Sequence, residues 1–140
     1  MNAAKTNMNI KLGMLKKRSE FLYVRDGFYA AKGGVVVQMR ENTARKAIGP
    51  EIKMGFTATK KVGNAVIRNR AKRRLREAAR TLLPELGMPG HDYVLIARDT
   101  TTAREWTDLL DDTRKALITL SQRAAGAKGT HKQNSKSQSA

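Results

Sequence analysis

The spacing of apolar positions changes character along the first part of the chain. Residues 14–26 (MLKKRSEFLYVRD) carry apolar side chains at the spacing of a short helix, and Gly27 follows as a stop signal. The next runs, 28–31 and 35–39, are rich in strand-forming residues, and a Lys-Gly-Gly turn separates them. Residues 41–50 are polar and end in Ile-Gly-Pro, so we expect a hairpin loop there.

A regular alternation marks residues 51–59 as a strand with two different faces. The apolar face would carry Ile52, Met54, Phe56 and Ala58. The polar face would carry Lys53, Thr57 and Thr59. Residues 91–98 contain instead a continuous apolar run, YVLIA, between turn residues. Such a run is typical of a strand that is buried on both faces.

Two longer helices are predicted around that second strand. Asn64 is a plausible N-cap, and the helix after it should run to about Leu83, where Pro84 stops it. At about 100° per residue its apolar side chains fall within a sector of roughly 80°, a stripe suited to docking on a sheet. That stripe comprises Ile67, Ala71, Leu75, Ala78 and Leu82. Residues 102–122 form the last amphipathic helix, so the order of elements indicates an α+β fold.

Composition limits the class of protein. The chain has 140 residues, the length of one domain, and it lacks cysteine, which excludes disulfide scaffolds and thiolate sites. No apolar run approaches the length of a membrane span, and the first residues lack the apolar region of a secretory signal. We therefore expect a cytoplasmic domain over 14–123, with a flexible lead-in at 1–13 and a disordered basic tail at 124–140.

The formal net charge of +16 is concentrated in one helix. Residues 60–80 hold nine basic side chains and one acid, Glu77, so half of the net charge lies in that segment. Like charges stand four residues apart, as in Lys72–Arg76, and cost stability unless a polyanion compensates. A solvated charged face is the alternative, but the excess of arginine over lysine favours phosphate binding.

RNA is the nucleic acid that the surroundings of this helix favour. Nothing before it reads as the partner of a helix-turn-helix motif, and no heptads indicate a basic zipper. Strands before and after the helix instead suggest an α+β unit with an exposed sheet face. Such a unit fits irregular or single-stranded RNA, recognised by shape and backbone contacts.

Residues 60–77, KKVGNAVIRNRAKRRLRE, closely resemble the signature of the bacterial ribonuclease P protein subunit. The similarity extends in order over residues 14–122. It implies a single αβββαβα domain: a four-stranded sheet with a left-handed βαβ crossover, like the second domain of ribosomal protein S5. The general preference for right-handed crossovers points the other way, but the motif is the more specific signal.

The resemblance also implies a role and a set of contacts. Members of this family are accessory subunits of a ribozyme that trims the 5′ leader from precursor transfer RNA, so no catalytic or metal-ligating residue is assigned here. The implied RNA contacts are Lys60, Lys61, Asn64, Arg68, Asn69, Arg70, Lys72, Arg73 and Arg76. The implied leader cleft comprises Phe21, Val36, Gln38, Thr57, Thr59 and Lys61.

Partners and cofactors follow from the same resemblance. They are the catalytic RNA and precursor transfer RNA, with Mg²⁺ bound mainly by the RNA subunit, and with no membrane and no obligate protein partner. Two positions depart from the family pattern, because Arg25 and Gln38 stand where the family often has aromatic residues. We therefore expect grip on the leader to depend more on charge.

Two other functions compete with this interpretation. A basic ribosomal protein or RNA chaperone without a role in cleavage would have similar basicity. An independent enzyme is disfavoured, because His91 and His131 share no triad or metal spacing and the adjacent Asp111 and Asp112 point about 100° apart on a helix. Phe21 could equally belong to the core, and Trp106 is expected in the core or as a helix anchor.

Overall fold

One mixed sheet organises the chain. A computed structural model describes residues 10–46 and 49–130. The strands are β1 (Lys11–Met14), β2 (Phe28–Lys32), β3 (Val35–Glu41), β4 (Glu51–Thr57) and β5 (His91–Ala97). The helices are α1 (Arg18–Arg25), α2 (Thr43–Lys46), α3 (Ala65–Leu86) and α4 (Trp106–Thr130). The order of strands across the sheet is β1-β4-β5-β3-β2.

The pairing of the strands contains the parallel βαβ connection that the resemblance implies. β4 and β5 are parallel neighbours, and α3 connects them. β3 pairs antiparallel with β5, and the β2–β3 hairpin completes that side of the sheet. These four strands are the expected ones, and the α+β class is confirmed.

A fifth strand, β1, lies where we expected a lead-in and the start of the first helix. Lys11–Met14 pairs in parallel with residues 51–54 at the edge of the sheet. The sheet therefore has five strands rather than four, and residues 11–13 belong to the folded domain. Because residues 11–14 are held in the sheet, the first helix begins at Arg18 and not at Met14.

The sheet buries its two faces unequally. One face packs against α3 and α4 and forms the main core, with Val37, Met54, Tyr93 and Leu95 at most 3% exposed. The other face carries a small cluster under α1: Leu15, Val24 and Val94, with Phe21 and Ile96 partly buried beside them. Burial on both faces explains the continuous apolar run of β5, and the alternation predicted for residues 51–59 is confirmed over β4.

Both long helices extend past the predicted ends. α3 continues through Pro84 to Leu86, because Leu83 is fully buried and Leu86 packs on the main core. α4 begins at Trp106 rather than at residue 102 and continues to Thr130, with Ala124 still buried. The predicted tail boundary at 124 is therefore wrong for residues 124–130, and residues 131–140 lie outside the described part.

A buried carboxylate joins the β2–β3 hairpin to α4. Asp112 accepts hydrogen bonds from the Gly34 backbone N–H (2.8 Å) and from the Arg104 guanidinium (2.8 Å and 3.0 Å). Burial of the Asp112 carboxyl raises its pKa, but the hydrogen bonds from Arg104 and Gly34 outweigh this effect and hold the pKa below its ordinary value. The charged carboxylate is therefore part of what fixes the hairpin.

Replacing Asp112 by Asn should lower the free energy of unfolding at pH 7 by about 1–3 kcal/mol, because charge-assisted hydrogen bonds are lost. A depressed pKa in the folded state means that this stabilisation is complete above the ordinary carboxyl pKa of about 4 and is lost as the pH falls through the folded-state pKa. Thermal melts should show a difference in melting temperature between Asp112→Asn and the unmodified protein at pH 7, and this difference should be smaller in acid.

The matched control is Asp111→Asn, because Asp111 forms only partly exposed ion pairs with Arg114 and Lys115. Such pairs contribute little to stability, so this variant should melt close to the unmodified protein. A penalty for Asp112→Asn that stayed undiminished in acid would contradict the role given to its charge.

Candidate nucleic-acid interface

The turn before α3 fixes the start of the basic helix. The Asn64 side chain accepts a hydrogen bond from the Ile67 backbone N–H at 3.0 Å, so the predicted N-cap is confirmed. Gly63 has φ +151, and a Cβ there would approach Ile67 at 2.9 Å. Arg68 donates to the Gly63 carbonyl at 2.9 Å, which ties its guanidinium back over the turn. Lys60 and Lys61 remain exposed in that turn.

α3 presents one buried edge and one exposed edge. Alanines and leucines in equal number form the buried edge, which comprises Ala71, Leu75, Ala78, Ala79, Leu82 and Leu83. Ile67, expected in this stripe, is only partly buried. The opposite edge is exposed and comprises Val66, Asn69, Arg70, Arg73, Glu77 and Arg80. The prediction of a helix with one docked stripe is therefore confirmed.

The cations of α3 differ in their contacts. Arg74 donates to three backbone carbonyls, those of Thr101, Thr102 and Arg104. The Arg76 guanidinium lies 5.5 Å from the centroid of the Phe56 ring. Within the described residues, Arg70, Lys72 and Arg73 form no hydrogen bond or ion pair, and neither does Arg80. These side chains are free to meet phosphates.

The other candidate surface is the sheet face that α1 only partly covers. Directly paired residues on neighbouring strands share a face. The register places Thr57, Ile96 and Val36 in one row across β4, β5 and β3. The next row contains Gly55, Val94, Gln38 and Tyr29. The sheet thus brings three predicted cleft residues, Val36, Gln38 and Thr57, to one face.

Phe21 of α1 forms the wall of this cleft. A Cβ built on Gly55 would lie 2.5 Å and 2.6 Å from two atoms of the Phe21 ring, so the ring rests directly on the glycine backbone. Phe21 packs against the small cluster and is partly buried. Thr59 and Lys61 are exposed and follow the end of β4 at one end of the cleft.

Two residues that the sequence reasoning missed extend the cleft. Tyr29 lies across from Gln38 and is 54% exposed, which adds an aromatic ring to the floor. Arg98 follows β5 directly, is exposed, and donates to the Gly33 carbonyl at 3.3 Å. The sequence alone could not have indicated either residue, because residues 28–31 and 93–97 are continuously apolar and show no alternation. The register of the sheet pairs Tyr29 with Gln38, and Arg98 directly follows buried Ala97.

The two surfaces have the chemistry of nucleic-acid contacts. Unpaired guanidinium groups on α3 can bind phosphates bidentately. Aromatic rings beside cations, as in the cleft, suit stacking of single-stranded bases. In the stretches that the structure describes, no three His, Cys, Asp or Glu side chains lie close enough to hold a metal ion. No described helix is both long and apolar enough to cross a membrane.

A mixed sheet that carries an exposed basic helix is typical of the class of basic RNA-binding proteins. The family model for ribonuclease P matches residues 11–121. The ribonuclease P protein component of Caulobacter vibrioides is 52% identical over 111 residues, covering 79% of this chain and 72% of that protein. That of Ruegeria pomeroyi is 54% identical over 107 residues, covering 76% and 84%. The chain belongs to the ribonuclease P protein family.

Solved structures agree with this assignment. The ribonuclease P protein of Staphylococcus aureus superposes with a TM-score of 0.61 at 25% identity, covering 74% of this chain and 91% of that one. The protein from Thermotoga maritima has the same fold, with a TM-score of 0.63 at 23% identity and coverage of 76% and 96%. The family model matches from residue 11 and so includes all of β1, of which the resemblance seen in the sequence covered only Met14.

The contact between Gly55 and Phe21 predicts the effect of one added methyl group. Gly55→Ala should lower the free energy of unfolding by about 1–3 kcal/mol, because the new Cβ displaces the Phe21 ring and loosens α1. Thermal unfolding measures this change. The control is Gly126→Ala in α4, where a Cβ meets nothing within 4 Å and should stabilise the helix. Equal melting temperatures for Gly55→Ala and the unmodified protein would show that the ring does not rest there.

Proposed function

We propose that this chain is the protein subunit of ribonuclease P and that it works as an accessory to a catalytic RNA. Through α3 it binds the catalytic RNA, and in the cleft it holds the 5′ leader of precursor transfer RNA. It thereby promotes endonucleolytic removal of the leader and formation of the mature 5′ end. The observation that carries this proposal is the presence of two separate surfaces on one family member: unpaired cations on α3, and an aromatic cleft on the opposite face of the sheet.

In this proposal the RNA subunit carries the catalysis and binds most of the Mg²⁺. The chain contributes positive charge, which reduces repulsion between phosphates that free ions would otherwise screen. The holoenzyme should therefore need less Mg²⁺ than the RNA alone. We place the complex in the cytoplasm, without an obligate protein partner.

The competing function is that of a ribosomal protein or RNA chaperone without a role in cleavage. Membership of the ribonuclease P family favours the first proposal. The RNA that co-purifies with the chain separates the two functions. A single structured noncoding RNA with precursor-cleaving activity would support our proposal, whereas ribosomal RNA would support the alternative.

Arg70→Gln together with Arg73→Gln should weaken binding to the catalytic RNA and flatten its salt dependence. If each side chain contacts one phosphate, the slope of log affinity against log salt should fall by about 1.4, at about 0.7 per contact. Titrations from low to moderate salt measure the slope. The matched control is Arg114→Gln with Lys115→Gln, which removes the same charge from α4, where both side chains lie near Asp111. Equal slopes for the two double variants would place the RNA elsewhere.

Phe21→Ala together with Lys61→Ala should reduce the preference of the holoenzyme for precursor over mature transfer RNA. Loss of one base–aromatic stack costs about 1–3 kcal/mol, so about a tenfold loss of preference is expected. Affinity is compared for one transfer RNA with and without its leader. Since Phe21 also packs against the small cluster, melting temperatures are measured alongside.

The matched control for the cleft is Ile118→Ala with Lys115→Ala, which removes an exposed apolar side chain and a cation from α4. It should leave the leader preference intact. A folded Phe21/Lys61 variant that keeps the full preference would refute the cleft assignment without affecting the assignment of α3.

A further inference from the structure

One arginine of the basic helix is turned away from the proposed RNA surface. The Arg74 guanidinium donates from Nη1 to the carbonyls of Thr101 (2.6 Å) and Thr102 (2.8 Å), and from Nη2 to that of Arg104 (2.6 Å). It also lies 5.8 Å from the centroid of the Trp106 ring. Three backbone acceptors on one guanidinium use the planar fork that distinguishes arginine from lysine.

These carbonyls belong to the loop of residues 98–105, between β5 and α4, and this loop continues the network. Thr101 Oγ1 accepts from the Arg98 backbone N–H (2.7 Å) and donates to the Gly34 carbonyl (2.7 Å). Arg98 and Gly34 lie at the end of the cleft, where the β2–β3 hairpin turns. A continuous set of hydrogen bonds therefore links α3 to one end of the cleft.

We propose that Arg74 is a positioning residue that holds the 98–105 loop and the β2–β3 hairpin in register with α3, so that the leader cleft keeps a fixed place relative to the RNA-binding helix. The inference rests on the proposed function. The floor of the cleft includes Val36 and Gln38 of β3, the strand that follows the hairpin turn, and Arg98 lies at the end of the cleft. Binding of α3 to the catalytic RNA would then set the position of the leader.

Its neighbour Arg73 provides a matched comparison. Arg73 is exposed on the outer edge of α3 and has no polar partner among the described residues, whereas Arg74 is committed to the loop. The same substitution at adjacent positions removes the same charge from the same helix. Only the contacts differ.

The experiment compares Arg74→Lys and Arg74→Gln with Arg73→Lys and Arg73→Gln in the reconstituted holoenzyme. Three quantities are measured: the salt slope of binding to the catalytic RNA, the preference for precursor over mature transfer RNA, and the melting temperature. Both Arg74 variants should keep the salt slope and lose about three- to tenfold of the leader preference. Arg73→Gln should lower the slope by about 0.7 and keep the preference, and Arg73→Lys should keep both.

Thr101→Val serves as a second variant in case Arg74→Gln does not fold. It removes the hydroxyl that joins Arg98 to Gly34 and leaves the carbonyls that Arg74 binds. It should lose leader preference to a similar extent. A lower melting temperature with full leader preference in folded Arg74→Lys and Thr101→Val would overturn the inference, because Arg74 would then only stabilise the fold.

Two further outcomes are distinguishable. A slope that falls in Arg74→Gln as it does in Arg73→Gln would overturn the inference by showing that Arg74 contacts phosphate. If the unmodified holoenzyme showed no leader preference, the proposed function of the cleft would fail and the inference with it. Loss of leader preference in the Arg74 variants and in Thr101→Val, with an intact salt slope and with full preference in the Arg73 variants, supports the inference.

Discussion

The fold depends on how α3 docks on the sheet. A segment with a net charge of +8 must bury enough apolar surface to hold its place while its charges stay in water. The narrow stripe of alanines and leucines achieves this, because small residues let the helix approach β4 and β5 closely. The crossover position follows from that contact, and so does the direction in which the free cations point.

Local signals in the sequence were sufficient where the neighbouring residues alone determine the structure. The N-cap at Asn64, the stripe of α3 and the alternation of β4 each follow from spacing within a few residues, and all three are confirmed. β1 could not be predicted in this way, since four residues carry too short a pattern and gain their structure by backbone pairing with β4. The extension of α3 past Pro84 depends likewise on burial of Leu83 by distant parts of the chain.

The candidate site shows the same division. Charge composition predicted that α3 is a binding surface, but charge alone could not separate Arg74 from Arg73, because the difference lies in the carbonyls of a loop far along the chain. Gln38 stands where the family often has an aromatic residue, and this suggested a cleft poor in aromatic rings. Its partner across the β2–β3 pair is Tyr29, so the missing ring stands on the neighbouring strand of the same face. Only the register of the hairpin reveals this.

Electrostatics also orient the molecule. Residues 99–112 contain five acidic side chains, from Asp99 to Asp112, and a single basic one, Arg104. This acidic stretch adjoins α3 on the side where Arg74 binds the loop. A polyanion would be attracted less to this side than to the outer edge and to the side of Arg76 over Phe56. Arg74 lies on this side of the helix, and its charge is taken up by backbone carbonyls within the protein.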